Sequence, residues 1–156
     1  MRNALHRLKY YGDMALGEVL ARPLIQMVLD FKWPVDLIVP VPIGLARRAQ
    51  RGYNQAALLA WPLALSCGME YQSKALLKVR DVRTQVGLTI AQRYENVAGA
   101  YQAQAHLVKG KSVLVVDDVT TSGATMQACS AALLAASSSR VYGVTLARAG
   151  APAGQG

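Results

Sequence analysis

Residues 113–125 read Val-Leu-Val-Val-Asp-Asp-Val-Thr-Thr-Ser-Gly-Ala-Thr. Four consecutive apolar residues predict a strand buried on both faces. Asp117 and Asp118 stand at its end. A turn rich in Thr, Ser and Gly follows, and then the Ala-rich helical run Ala124–Ala136. Carboxylates at this place can accept hydrogen bonds from two neighbouring ribose hydroxyls. Thr121, Ser122 and Thr125 offer hydroxyl donors to a phosphate. Gly123 permits a positive φ and close approach of a ligand. The first turn of the following helix adds backbone N–H groups and a favourable dipole for an anion. Together these groups are suited to hold a sugar phosphate, and open α/β sheets bind ligands at this end of their strands. The plainer reading is a buried strand, a turn and a capped helix. An isolated Asp after a strand would not decide against it, but the whole pattern does. Neither Gly-x-x-x-x-Gly-Lys-Ser/Thr nor Gly-x-Gly-x-x-Gly occurs.

The elements that must position this turn follow from the rest of the 156 residues, a length suited to one domain with one core. Strands alternating with helices predict a mainly parallel α/β sheet. Helical spacing of Leu20, Leu24, Met27, Val28 and Phe31 predicts a helix over 14–32, with Pro23 inside it. Val35–Val39 reads as a strand that Pro40-Val41-Pro42 ends. Gly52-Tyr53-Asn54-Gln55 opens a helix to about Ser66. One or two short β segments fall in Tyr71–Val79, with Leu76, Leu77 and Val79 as core candidates. A short helix starts at Thr89, Gly99–Tyr101 reads as a strand, and Arg140–Ala147 reads as the last one. The domain spans 1–148, and 149–156 reads as a flexible tail.

The net charge of +8 favours anionic partners, phosphorylated metabolites or nucleic acid, without choosing between them. Between residues 44 and 96 lie eight basic and three acidic residues, which make either a solvated basic face or an anion site facing the phosphate turn. Cys67 and Cys129 have no Cys-x-x-Cys context, so neither a zinc ribbon nor a disulfide framework is predicted, and Cys129 reads as a small core residue. His6 and His106 lack ligand spacing. No apolar run is long enough to span a bilayer and no secretory core follows the basic N-terminus, so the expected location is the cytoplasm.

Three separated segments resemble the ComF family of phosphoribosyltransferase-like proteins. Pro40-Val41-Pro42-Ile43 with Arg51-Gly52-Tyr53-Asn54-Gln55 is similar to the family's Pro-Val-Pro-Leu and Arg-Gly-Phe-Asn-Gln signature. Arg83-Thr84-Gln85 through Arg93 and Asn96 is similar to its Thr…Gln…Leu…Arg…Asn stretch. Asp117–Thr125 is similar to its motif for phosphoribosyl pyrophosphate (PRPP). The resemblance implies a type I phosphoribosyltransferase fold with a small hood, PRPP and Mg²⁺ as ligands, and a link to natural competence and the use of imported DNA. It implies that Asp117 and Asp118 hold the ribose hydroxyls and act in catalysis. The PRPP-binding stretch would then be Asp117, Asp118, Val119, Thr120, Thr121, Ser122, Gly123, Ala124 and Thr125. Val41, Pro42 and Ile43 approach the pyrophosphate, with Arg47 and Arg48 as cations for it. Arg83, Gln85 and Arg93 fall where a mobile loop closes. No metal ligand is assigned, because Mg²⁺ is expected to arrive through the PRPP oxygens and water. Family members commonly carry an N-terminal cysteine-rich zinc module, a spacing these residues lack.

The activity expected from the resemblance is displacement of pyrophosphate at ribose C1 by an unidentified acceptor. The alternative is a non-catalytic competence factor that senses PRPP or a nucleotide. In it, Arg47, Arg48 and Arg51 meet the backbone of single-stranded DNA, and Tyr53 or Tyr94 stacks on a base. Competence proteins are possible partners in both readings. Oligomeric state is not legible, although a dimer suits such folds.

Overall fold

A computed structural model describes residues 14–44, 48–50, 52–82 and 87–149. The basic N-terminus and all of the tail except Ala149 lie outside them. Parallel strands accept helices on both faces and therefore need apolar residues on both. Strand β1 (Leu37–Pro40) is buried throughout, and β5 (Ser112–Thr120) is fully buried from Val113 to Val116. They pair in parallel with Leu37 opposite Val113 and Val39 opposite Val115. Strand β2 (Glu70–Tyr71) extends the sheet beyond β1, and β6 (Arg140–Arg148) beyond β5, giving the order β2-β1-β5-β6, all parallel. Pro40 lies past the part of β1 that β2 pairs with, so its missing N–H breaks no bond between those two strands.

Alternation along the strands sorts the side chains into two cores. Ile38, Leu114, Val116 and Val144 face helices α1 (Met14–Phe31) and α2 (Gln55–Cys67). Leu37, Val39, Val113 and Val115 face the other side. There they meet α5 (Ala124–Ala135) and residues of the short elements before it. Those elements are β3 (Leu76–Lys78), α3 (Ile90–Val97), β4 (Tyr101–Ala103) and α4 (Ala105–Val108). Strands β3 and β4 form a separate antiparallel ribbon. The α/β class and the parallel central sheet flanked by helices are those predicted.

Several local expectations are corrected. Strand β5 does not stop at the acids. It runs through them to Thr120, because β6 pairs alongside as far as Arg148. In the ribbon, Leu76 is buried, but Leu77 is 39% exposed and Val79 54%. A ribbon covered on one face buries alternate residues only, and Val79 lies past its end. The strand expected at Gly99–Tyr101 begins at Tyr101 instead, since Gly99 takes φ +66 and turns the chain into it. Helix α4, a single turn between the ribbon and β5, is too short to show a periodic signal in the sequence. Both helical prolines, Pro23 and Pro62, are accommodated inside their helices.

Helices α1 and α2 approach closely at Gly17, where a methyl group would stand 2.7 Å from the Leu58 carbonyl oxygen. The end of α1 is fastened to β6 by a ladder of rings. Phe31 stacks on Trp33 with centroids 5.2 Å apart, and Trp33 on Tyr142 at 5.1 Å.

Candidate functional site

Asp117 and Asp118 occupy consecutive positions of β5, so their side chains leave opposite faces of the sheet. Each then accepts a hydrogen bond from the next residue's N–H, Asp118 N to Asp117 Oδ1 at 2.9 Å and Val119 N to Asp118 Oδ1 at 2.8 Å. These bonds fold both carboxylates forward along the chain, toward the loop. Asp117 lies on the α5 side, where its charge reaches the buried thiol of Cys129. Burial pushes that thiol far up, Asp117 pushes it further, and Lys78 opposes them. Cys129 is a fully buried core residue, as expected.

After β5 the chain turns through Thr121, Ser122 and Gly123. Gly123 takes φ +84 at the start of α5, the left-handed conformation for which glycine suits this position. Ser122 Oγ accepts from the Ala124 N–H at 3.4 Å, and Gln127 N donates to the Gly123 carbonyl at 2.9 Å. Ala149 N donates to the Thr120 carbonyl at 2.9 Å and fixes the end of β6 beside the loop. Between the loop, α5 and β6 lies an open cleft of about 540 Å³, lined by Thr121, Gly123, Gln127, Thr145 and Arg148 among others. Its polar rim and its place at a helix N-terminus suit an anion. Nothing in the sequence pattern marks Arg148 as a site residue. The register of β6, which sets it opposite Thr120, brings it to the cleft.

The Val41-Pro42-Ile43 turn leaves the sheet beside the acids, for Val41 N donates to the Val116 carbonyl at 2.9 Å. Asn54 holds this turn. Its Nδ2 donates to the Val41 carbonyl at 3.0 Å, while its Oδ1 accepts from Ala56 N and caps α2. One amide thus starts the helix and pins the turn. Asn54→Ala is expected to lose about 1 kcal/mol of stability from the cap alone. A urea melt checks this.

Arg48 is exposed at the outer end of this segment, while Arg47, Arg51, Arg83 and Gln85 lie outside the described residues. Arg93 sits on α3 and donates from Nε to the Leu88 carbonyl at 3.1 Å, bracing the segment that enters the helix. Thr89 and Gln92 cap that helix reciprocally. Arg80 donates to the carbonyls of Asn96 and Ala98 at its other end. Lys78, which the sequence did not single out for the site, is brought in by the ribbon. A methyl group at Gly44 would stand 3.8 Å from Lys78 Nζ and 2.8 Å from Asp81 Oδ1. Its effect on Cys129 places the same cation within reach of the α5 side of β5. Both tyrosines are half-buried. Tyr53 has its hydroxyl buried, and Tyr94 donates to the Ser122 carbonyl at 3.0 Å.

Burial also raises the Cys67 thiol and the Tyr71 phenol. All three groups therefore hold their protons longer folded than unfolded. The unfolded chain gains free energy by ionising as the pH climbs through the ordinary thiol and phenol range, so stability falls there. Urea midpoints between pH 8 and 10 are expected to decline, with a shallower decline in Cys129→Ala.

The phosphoribosyl transferase domain family matches residues 14–155. The chain belongs to that family. It is 35% identical over 127 residues to DNA utilization protein YhgH of Salmonella typhimurium, covering 78% of this chain and 56% of the relative. Competence protein F of Haemophilus influenzae is 32% identical over 129 residues, with the same coverage. The chain thus spans about half the length of the curated relatives it matches, and the resemblance to the ComF family stands. Among solved structures, glutamine PRPP amidotransferase from B. subtilis superposes with a TM-score of 0.55 at 23% identity, over 85% of this chain and 25% of the other. The protein TT1426 from Thermus thermophilus gives 0.52 at 15%, over 90% and 86%. At these identities the structures establish the fold. Within the family's fold, no helix among the described residues is long and apolar enough to cross a membrane. No three His, Cys, Asp or Glu side chains converge among them as a metal cluster.

Proposed function

We propose that this phosphoribosyltransferase-domain chain binds PRPP at the carboxyl end of β5 and displaces pyrophosphate at ribose C1. The observation that carries the reading is the continuity of acids, turn and helix. Two forward-folded carboxylates lead directly into a glycine at φ +84 that opens α5 beside a polar cleft. Asp117 and Asp118 take the ribose hydroxyls. Thr121–Thr125 take the 5′-phosphate through hydroxyls and the first N–H groups of α5. The Val41-Pro42-Ile43 turn, held by Asn54, faces the pyrophosphate, with Lys78 and Arg48 as its nearby cations.

The bond from C1 to the pyrophosphate oxygen breaks as the bond to the acceptor forms, and the acceptor's proton leaves. Positive charge grows on the sugar ring and negative charge on the leaving group. Carboxylates beside the ring and cations beside the pyrophosphate favour that separation. The donor set fits Mg²⁺ carried by the substrate, since among the described residues the two acids have no third His, Cys, Asp or Glu beside them, which leaves most coordination to PRPP oxygens and water. Bound there, Mg²⁺ would supply a counter-charge to the leaving pyrophosphate.

The names of the relatives, DNA utilization protein and Competence protein F, support placing this chemistry in the cytoplasmic handling of imported DNA. Calorimetry with PRPP and Mg²⁺, followed by phosphorus NMR for released pyrophosphate over a panel of nucleobases and amines, tests the proposal. Binding with release supports a transferase. Binding without release across the panel supports a PRPP sensor, and no binding overturns both.

A further inference from the structure

Tyr94 lies on α3, outside the motif that carries the acids, and 28 residues before the group it touches. Its hydroxyl donates to the carbonyl oxygen of Ser122 at 3.0 Å. The ring is half-buried against the core beneath α5 and lines an apolar groove with Val97, Tyr101 and Ala128. The polar cleft is walled by the neighbouring face of α5, with Met126 and Ser130, and the two meet at Gln127; Tyr94 lines only the groove. Tyr94 therefore grips the turn from outside the cleft.

The peptide it grips is the one that matters for an anion. Among the described residues no peptide bond is cis. A trans peptide carries its C=O and N–H on opposite sides. With the Ser122 carbonyl turned to Tyr94, the Gly123 N–H points away from Tyr94. That N–H donates to no group among the described residues, and Gly123 lines the cleft. The same peptide is easily reversed. A half-turn of its plane takes Gly123 from φ +84 to about −96°, which glycine adopts as readily. The reversed peptide presents a carbonyl oxygen where the N–H had been, and so repels a phosphate.

We propose that Tyr94 is a positioning residue. Its hydroxyl holds the Ser122–Gly123 peptide in the orientation that offers the Gly123 N–H to a phosphoryl group and keeps the Ser122 carbonyl oxygen away from it. The proposal rests on reading this turn as the seat of the 5′-phosphate and adds the residue that sets its polarity. Helix α3 thereby becomes part of the phosphate site without touching the ligand.

The test compares the full chain with Tyr94→Phe, which keeps the ring and removes only the hydroxyl. Calorimetry uses ribose 5-phosphate and, separately, PRPP with Mg²⁺. Both affinities are expected to fall by the same factor, about 3- to 10-fold, the effect of one hydrogen bond. In nitrogen–proton spectra the Gly123 amide signal of the unsubstituted chain should move when ribose 5-phosphate is added. In Tyr94→Phe that signal should be displaced before any ligand is present and should respond less. Should the variant melt early, the response of the unsubstituted chain still decides, because a Gly123 signal indifferent to bound ribose 5-phosphate overturns the proposal. So does a Tyr94→Phe chain that binds ribose 5-phosphate as tightly as the original. Absence of ribose 5-phosphate binding in the unsubstituted chain removes the phosphate seat itself, and the role of Tyr94 with it.

Discussion

Replacing both acids, Asp117→Asn with Asp118→Asn, lowers PRPP affinity by about 100-fold or more and leaves the fold standing. The two halves of this expectation have different origins. Each carboxylate uses one oxygen to accept the next residue's N–H, and an asparagine Oδ1 can keep that bond. The other end of the amide becomes a donor, and the negative charge is gone. Hydrogen bonds to charged groups contribute about 1.5–3 kcal/mol each, so losing two of them exceeds the roughly 2.7 kcal/mol that a hundredfold change requires. The single variants separate the two positions, since the side chains leave opposite faces of β5. Calorimetry with PRPP and Mg²⁺ gives the affinities, and circular dichroism melts show whether the fold is kept. A double variant that binds as the original does removes both acids from the site.

The second large effect is structural. Gly17→Val is expected to destabilise the chain by about 3 kcal/mol, at the upper end of overpacking costs. Even one methyl group at Gly17 meets the Leu58 carbonyl oxygen at 2.7 Å and Leu58 Cβ at 3.3 Å. The obstacle is the backbone of a neighbouring helix, which cannot rotate aside as a side chain would. For a chain of this length the melting temperature should drop by roughly 6–12 °C. Relief comes only if α1 moves away from α2, which strips cover from Ile38, Leu114 and Val116 beneath them. Gly143→Ala provides the contrast, because the group it approaches, Met126 Sδ at 2.8 Å, ends a flexible side chain. A Gly17→Val melt within about two degrees of the original, well short of that drop, would show that the helices are not locked at this crossing.

Much of the central motif was legible because its parts are local. An apolar run such as Val113–Val116 has few alternatives to a strand buried on both faces. A glycine between a Thr/Ser turn and an Ala-rich run marks a helix start with positive φ, and Gly123 takes it. The helix start at Thr89 was legible for the same reason, its cap and partner lying three residues apart. What escaped depends on which distant elements meet. Leu77 is as apolar as Leu76, and only the absence of cover on one face of the ribbon exposes it. Asn54 belongs to the Arg-Gly-Tyr-Asn-Gln signature, but its bond to Val41 crosses 13 residues and follows from how α2 docks. In the sequence Lys78 is one charge among eight in a basic stretch, and Arg148 lies one residue past the strand predicted over Arg140–Ala147. Ribbon position and sheet register bring them to the site.

The most direct measurement is a crystal structure of the chain soaked with PRPP and Mg²⁺. The account predicts a 5′-phosphate oxygen about 3 Å from the Gly123 nitrogen and ribose hydroxyls within hydrogen-bonding distance of Asp117 and Asp118. PRPP bound elsewhere on the chain, or bound with its 5′-phosphate away from the turn between β5 and α5, would contradict it.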